Sequence, residues 1–244
     1  MSKKKVCLIS NYFHFASEKA SNRYRELAEL LCKEDDIDLE VITSKFYQRT
    51  YEYRTNMDEL AKSCPFKVTF VDERAYHTSI CVNRLLASRD FAKNVLDYIK
   101  TQPKPDLIYQ VVPTLDVANA VSKYAKKNNI PLVIDIQDLW PEAFKMAISI
   151  PVISDIAFSP YMFMANAIYK RADAVCAVSQ TYVDRALQVN KTCKATQAVY
   201  IGINLEVFDN NVKNNPQPKR DELTLAYCGS LSKSYDIRLV IDAL

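Results

Sequence analysis

The sequence predicts an α/β protein built on a Rossmann-like parallel sheet with helices on both faces. Short apolar runs of strand length recur along the 244 residues. The runs are continuous rather than alternating, as in Leu107–Val112 and Leu132–Ile136, and this is typical of strands buried on both faces of a parallel sheet. Most of the runs are followed by apolar residues at helical spacing, which indicates repeated βαβ units.

Eight runs are predicted to be strands. In chain order they are Val6–Ser10, Leu39–Thr43, Val68–Val71, Leu107–Val112, Leu132–Ile136, Ala174–Val178, Ala198–Ile201 and Leu223–Cys228. Apolar stripes predict helices over residues 20–31, 92–99 and 117–125, the last with Thr114 as its N-cap, and another helix after Ser179. Right-handed crossovers place the loops after the strands on one edge of the sheet, so we expect the functional residues in those loops.

Two stretches allow more than one interpretation. Residues 47–62 mix Tyr and Arg; they are predicted to form a solvated excursion, with a sugar-binding or lipid-facing loop as the alternative. Residues 146–169 are almost free of charge, and Pro151 and Pro160 are expected to break them. We expect a buried helix packed on the sheet, with an interfacial membrane helix as the alternative. The charge-free piece Ile156–Tyr169 is too short to span a bilayer.

A polar segment rich in Asn and Pro predicts a domain boundary. Residues 209–222 are interpreted as an interdomain linker, which makes residues 1–208 a Rossmann-like first domain. Residues 223–244 then form the truncated start of a second domain, because the helical pattern from Ile237 is cut off at Leu244.

Composition excludes several classes of partner and ligand. The formal charge of +3 is too small to indicate a nucleic-acid binder. The apolar stretch after Lys3–Lys5 is too short for a signal peptide, so we expect a cytoplasmic protein. Two histidines and seven cysteines without a C-x-x-C pair predict no metal site and free thiols.

Missing motifs exclude several enzyme classes. The chain has only two glycines, and no G-x-G-x-x-G follows the first strand. A nicotinamide dehydrogenase, a P-loop hydrolase and an α/β-hydrolase are therefore disfavoured. A ligand must instead be bound by side chains and helix ends, and no cofactor is expected.

Five segments carry a resemblance to a known family. In order they are Ile9–Phe13 with Ala20–Arg23, the octapeptide Asp135–Glu142 (D-I-Q-D-L-W-P-E), Arg171–Ser179, Gly202–Phe208 and Gly229–Leu231. Together they resemble the family-4, GT-B-fold glycosyltransferases of bacterial capsule, O-antigen and exopolysaccharide biosynthesis, whose second segment reads D-x-R-D-L-W-P-E. The segments follow the order of that family along the whole chain.

The resemblance implies a retaining transfer of a sugar from a nucleotide-sugar donor to a saccharide acceptor. The acceptor, expected to be lipid-linked, would be held by the first domain, which suggests peripheral contact with the inner face of the plasma membrane. The donor would be bound mainly by the second domain, with Gly202 and Gly229 on the donor side. The family's pair of donor-site glutamates would lie beyond residue 244, so this chain is expected to be the acceptor-binding half and inactive alone.

Three candidate residues lie in the segment after the fifth strand. Asp138 occupies the crevice position, where its carboxylate can accept hydrogen bonds from sugar hydroxyls, and it is the candidate catalytic residue. Capping of a helix near Pro141 is the alternative, and one carboxylate can do both. Trp140 can stack on an acceptor sugar or pack in the core, and Glu142 can contact the acceptor or the helix dipole.

Three further acceptor-binding candidates follow the first strand. The neutral imidazole of His14 can bind an acceptor hydroxyl, or the side chain can simply face solvent. The family usually has two adjacent glycines where this chain has Glu18 and Lys19, and Lys19 can supply a point charge instead. Arg23 opens the first helix and can pair with a phosphate or form an ordinary salt bridge on the helix surface.

Two other functions remain open from the sequence. A naturally short chain could be a non-catalytic acceptor-binding module that works with a separate donor-domain partner. A two-lobed ligand receptor of the periplasmic type is the third interpretation, and the missing export signal argues against it.

Overall fold

A parallel sheet organises the part of the chain that the structure describes. The structure is a computed structural model, and it describes residues 3–18, 23–78, 81–143, 151–216, 224–229 and 236–243. Nine strands lie within these ranges: β1 Lys4–Ile9, β2 Ile37–Ser44, β3 Phe46–Tyr47, β4 Glu52–Tyr53, β5 Lys67–Val71, β6 Leu107–Val112, β7 Leu132–Ile136, β8 Ala174–Ala177 and β9 Ala195–Ala198. Seven of them form one sheet in the order β5-β2-β1-β6-β7-β8-β9, with every neighbouring pair parallel, and β3 and β4 form a short hairpin.

Helices connect the strands of this sheet. Within the described ranges they are α1 Arg23–Leu31, α2 Met57–Lys62, α3 Val82–Thr101, α4 Leu115–Lys127, α5 Pro151–Arg171, α6 Gln180–Leu187, α7 Leu205–Asn214 and α8 Ile237–Asp242, with a 3-10 turn over Ala16–Glu18. Ser179 caps α6, because its hydroxyl accepts a hydrogen bond from the backbone N–H of Tyr182 at 3.3 Å. Thr114 occupies the N-cap position of α4, as predicted.

Two buried apolar clusters confirm that the sheet is covered on both faces. Along β1, Cys7 and Ile9 join one cluster and Leu8 joins the other, as the alternation of side chains in a strand requires. The first cluster contains buried residues of α3, α4, α5 and α6, and the second contains Tyr24 and Ala28 of α1 and a residue of α2. The predicted α/β fold, a parallel sheet with helices around it, is therefore confirmed.

The predicted strand Ala198–Ile201 is displaced in the structure. The strand β9 covers Ala195–Ala198, and Tyr200 and Ile201 follow it with 70% and 67% of their surface exposed. β9 pairs only with β8 at the edge of the sheet, so its pairing does not require an apolar sequence.

One other expectation is wrong. Pro160 was expected to break its segment but lies inside α5, because Ala165, Ile168 and Tyr169 in the second half of that helix are fully buried and hold it on the core.

Residues 47–62 are mostly exposed, with only Arg54 and Leu60 buried, as expected for a solvated excursion. They are nevertheless not irregular, since they contain most of the β3–β4 hairpin and α2.

The chain divides into two compact units, Met1–Gly202 and Ile203–Leu244. In the second unit, α7 occupies the first part of the predicted linker, and its N-cap Asn204 accepts a hydrogen bond from the backbone N–H of Val207 at 3.1 Å. The described residues 224–228 of the predicted strand Leu223–Cys228 are not paired in a sheet and are exposed. A strand needs neighbouring strands to satisfy its backbone groups, and none of the described residues of this unit forms one.

Candidate functional site

The candidate site lies at the carboxyl ends of the parallel strands, here called the carboxyl edge. The sheet grows outward from β1 through β2 to β5 on one side, and from β6 through β7 to β9 on the other. β1 and β6 therefore flank the topological switch point, where open α/β sheets bind their ligands. Ser10 and Asn11 follow β1 and Thr114 follows β6; all three side chains are buried. An oxygen of each has no hydrogen-bond partner among the described residues, so polar groups line this point.

The loop after β1 is held by a buried ion pair between Glu18 and Arg54. Arg54 donates from Nε to Glu18 Oε1 at 2.7 Å and from Nη2 to Glu18 Oε2 at 3.2 Å. The same guanidinium donates to the carbonyl oxygens of Ser44 at 2.6 Å and Phe13 at 2.9 Å. Arg54 thus ties the loop to the end of β2, a role that its position in a Tyr/Arg-rich stretch did not indicate.

His14 lies inside this loop rather than in solvent. Only 17% of its side chain is exposed, and its Nδ1 is 3.9 Å from Glu18 Oε2. The imidazole packs edge to face with Tyr47 at 5.6 Å between ring centres. Burial lowers the pKa of His14 and outweighs the opposing effect of Glu18, so the imidazole is neutral at neutral pH.

A second buried carboxyl group lies beside this loop. Glu73, just after β5, is 5% exposed and accepts hydrogen bonds from Ser44 Oγ at 2.6 Å and Asn11 Nδ2 at 3.3 Å. Burial raises the pKa of Glu73 to about 7, although the hydrogen bond from Ser44 and the charge of Arg54 favour the carboxylate. Glu73 was not among the residues predicted from the sequence; its position just after an apolar strand is the signal that could have found it.

Arg23 forms an ion pair with a buried carboxylate. Its Nη2 is 3.0 Å from Oδ2 of the fully buried Asp135 in β7, and its Nη1 donates to the carbonyl oxygen of Val199 at 2.9 Å. Tyr109 also donates to Asp135 Oδ2, at 2.6 Å. Burial raises the pKa of Asp135, although Tyr109 and Arg23 favour its charged form. Arg23 therefore links α1 to β7 and to the end of β9, and its salt bridge is buried rather than on the helix surface.

Asp138 and Trp140 form one hydrogen-bonded unit after β7. The indole N–H of Trp140 donates to Asp138 Oδ2 at 3.0 Å. Trp140 is half-buried and packs against the core, and the guanidinium of Arg84 lies 5.4 Å from its ring centre. The structure thus brings Asp138 and Trp140 together at the carboxyl edge.

Glu142 forms an ion pair with a residue of another helix. Its Oε1 accepts from Arg185 Nε at 2.6 Å, and Arg185 also donates to Asn166 Oδ1 at 2.8 Å. The pair joins the segment after β7 to α6 and α5. Glu142 therefore helps to connect the segment after β7 with α6 and α5, a role that neither sequence interpretation included.

The remaining candidates are Lys19, Gly202 and Gly229. Lys19 lies outside the described residues. Gly202 ends the first unit and is exposed, and Gly229 is exposed in the second unit.

Two cavities lie at the opposite edge of the sheet. One of about 130 Å³ is lined by Lys5, Glu40 and Lys67, and one of about 240 Å³ by Lys126, Arg171 and their neighbours. Both adjoin the amino ends of strands, so they do not belong to the candidate site. The described part of the chain contains no group of three or more His, Cys, Asp or Glu side chains that could hold a metal ion. It also contains no helix with the length and hydropathy needed to cross a bilayer.

No protein-family model matches this chain, and no curated protein sequence matches it. Solved structures do. A sucrose-phosphate synthase from Thermosynechococcus elongatus is 13% identical, with a TM-score of 0.50, over 86% of this chain and 96% of that one. LpCGTa, solved in complex with UDP, is 11% identical, with a TM-score of 0.50, over 86% of this chain and 57% of that one. The chain thus spans little more than half of the LpCGTa structure, and it has the parallel α/β fold found in GT-B glycosyltransferases.

Proposed function

We propose that this chain supplies the acceptor-binding domain of a retaining glycosyltransferase. The enzyme would move a sugar from a nucleotide-sugar donor to a saccharide acceptor in the synthesis of a surface polysaccharide. The observation that carries the proposal is the polar carboxyl edge at the switch point of a GT-B-like fold. The UDP bound in LpCGTa, a structure of the same fold, supports a nucleotide-sugar donor.

The acceptor is proposed to lie at the carboxyl edge, between the loop after β1 and the segment after β7. Asp138 uses one carboxylate oxygen for Trp140, which leaves the other for a sugar hydroxyl. His14 supplies a neutral imidazole and Lys19 a positive charge from the loop after β1. Arg23, Trp140 and Glu142 are held by protein partners, so we assign them the shaping of the acceptor pocket.

The donor is proposed to bind mainly to a domain that begins with residues 223–244. Gly202 and Gly229 would lie on the donor side, where the absence of a side chain lets a nucleotide approach the backbone. The leaving phosphate would be stabilised by cationic side chains and helix N-termini, as charge develops on it.

A lipid-linked acceptor would bring the protein, which we propose to be cytoplasmic, to the inner face of the plasma membrane. Two apolar side chains of α5, Ile156 and Phe163, are 70% and 74% exposed and support peripheral contact. Vesicle flotation tests this part of the proposal. Binding that rises with the content of anionic lipid is expected, and flotation that does not depend on lipid composition would remove it.

A transfer screen with sugar nucleotides tests the activity. It compares the 244-residue chain with the same residues followed by a complete second domain. We expect sugar transfer only by the longer chain. Transfer by the 244-residue chain alone would refute the division of labour between the two domains. Saccharide binding without transfer in either chain would favour a non-catalytic acceptor-binding module.

A further inference from the structure

The carboxylate of Glu18 faces the buried nitrogen of His14. The Nδ1 atom is buried and has no hydrogen-bond partner among the described residues, and Glu18 Oε2 lies 3.9 Å away. This distance is beyond hydrogen-bond length but close enough for the charge of the carboxylate to act on the imidazole. Since Nδ1 is the buried nitrogen and 17% of the side chain is exposed, Nε2 is the imidazole nitrogen that a ligand can reach.

The position of Glu18 is fixed by other contacts. Both carboxylate oxygens accept from Arg54, and Oε2 also accepts from the backbone N–H of Phe15 at 2.9 Å. A carboxylate has about four acceptor sites, and these three hydrogen bonds occupy two on Oε2 and one on Oε1, so Glu18 acts on the nearby Nδ1 through its negative charge. The guanidinium of Arg54 is itself held over the ring of Tyr47 at 4.9 Å, and that ring packs against His14. The carboxylate and the imidazole are thus held in one rigid cluster.

The charges around His14 come from four elements. Glu18, in the 3-10 turn, raises its pKa. Arg54 after the hairpin, Arg49 within it and Arg25 on α1 lower it, and burial lowers it most. His14 is neutral at pH 7 for these reasons, so one nitrogen carries the proton and the other is an acceptor.

We infer that Glu18 is a positioning residue that holds His14 as the Nδ1–H tautomer, so that Nε2 accepts a hydrogen bond from a hydroxyl of the acceptor. The negative carboxylate attracts the proton to Nδ1, and this orients the lone pair of Nε2 outward. The inference deepens the proposed function and rests on it for the identity of the hydroxyl ligand. The tautomer itself is a property of the chain alone.

Imidazole nitrogen NMR on the ¹⁵N-labelled 244-residue chain reads the tautomer directly. The chain has two histidines, and the exposed His77 serves as an internal reference in the same spectrum. We expect neutral His14 to be the Nδ1–H form. Observation of the Nε2–H form would overturn the inference.

Two variants test whether Glu18 causes this preference. The double variant Glu18→Ala/Arg54→Met removes both partners and so leaves no unpaired buried charge; we expect His14 to shift toward the Nε2–H form. The matched control Lys4→Met/Asp36→Ala removes an exposed ion pair and should leave His14 unchanged. If the double variant does not fold, Glu18→Gln replaces it: loss of the charge should lower the pKa of His14, and an unchanged pKa would contradict the inference.

Replacements of His14 separate this inference from the proposed function. The amide of Gln reaches the position of Nε2, whereas that of Asn reaches only the position of Nδ1. In the chain with a complete second domain, His14→Asn should raise the KM for the acceptor about tenfold more than His14→Gln, the loss of roughly one hydrogen bond. Equal KM values would overturn the assignment of Nε2. If neither the parent chain nor any variant transfers sugar while the tautomer is as expected, only the proposed function fails.

Discussion

Arg23 and Asp135 form a buried ion pair, with 3.0 Å between Nη2 and Oδ2, that joins the first helix to the middle of the sheet. The two residues are 112 positions apart in the sequence, and Asp135 is fully buried. Removal of one partner from a buried pair leaves an uncompensated charge, which costs more than the pair contributes.

Arg23→Met should therefore lower the free energy of unfolding by about 3–5 kcal/mol. Arg23→Met/Asp135→Leu should recover most of this loss, because it leaves no buried charge behind. Urea unfolding followed by circular dichroism measures both. Lys4→Met, which breaks an exposed pair with Asp36, is the control, with an expected loss of about 0–1 kcal/mol. If Arg23→Met is no less stable than this control, Arg23 does not stabilise the buried charge of Asp135.

Glu73 should make the stability depend on pH between about 4.5 and 7. Its pKa is raised from 4.5 to about 7 in the folded protein, so the folded state binds more protons than the unfolded state in this window. The contribution of Glu73 is complete below pH 4.5 and is lost as the pH rises through 7.

Glu73→Gln, which cannot ionise, should therefore gain stability relative to the parent chain as the pH rises from 5 to 8, by up to about 3 kcal/mol. Urea unfolding at several pH values measures this difference. Glu52→Gln, at an exposed position of β4, is the control and should follow the parent chain. A difference between Glu73→Gln and the parent that does not change with pH would contradict the raised pKa.

The Ser179 cap should contribute about 1 kcal/mol to the free energy of unfolding, because its hydroxyl accepts a hydrogen bond from the backbone N–H of Tyr182 in the first turn of α6. Ser179→Ala should lower the unfolding free energy by that amount. Thr114 is at the same position of α4 but makes no such hydrogen bond from its side chain, so Thr114→Val should be almost neutral. Equal losses in the two variants, measured by thermal unfolding, would exclude capping as the cause.

Replacement of a buried and of an exposed phenylalanine should change the free energy of unfolding by very different amounts. Phe91 of α3 is fully buried in the larger core cluster, and Phe91→Ala should cost about 3–5 kcal/mol. Phe163 of α5 is 74% exposed, and Phe163→Ala should change stability by less than about 0.5 kcal/mol. A large loss for Phe163→Ala in urea unfolding would mean that α5 packs differently from the structure described.

The centre of the fold was predictable because its signals are local. β6 and β7 have the predicted bounds, since continuous apolar runs indicate strands buried on both faces. α3 begins at Val82, ten residues before the predicted stripe starts at Ala92, because polar residues in its first half obscure the periodicity. β9 was misplaced because an edge strand needs no apolar sequence.

The candidate site was predictable only in part. The loops after β1 and β7 were identified, because topology places them at one edge of the sheet. The partners of the candidates were not: Arg54 lies 36 residues from Glu18, and Glu73 lies 29 residues from Ser44. Such pairings depend on which strands become neighbours, and periodicity along the chain contains no information about them.

The most direct test of the central claim is acceptor use by the Asp138→Asn variant of the chain with a complete second domain. Asn keeps an oxygen for the indole N–H of Trp140, so the fold should be unchanged, while the negative charge that we propose to face a sugar hydroxyl is lost. We predict a fall in sugar transfer of about 100-fold, with no fall for Asp97→Asn on the exposed face of α3. Equal transfer by the two variants would contradict an acceptor site at the carboxyl edge.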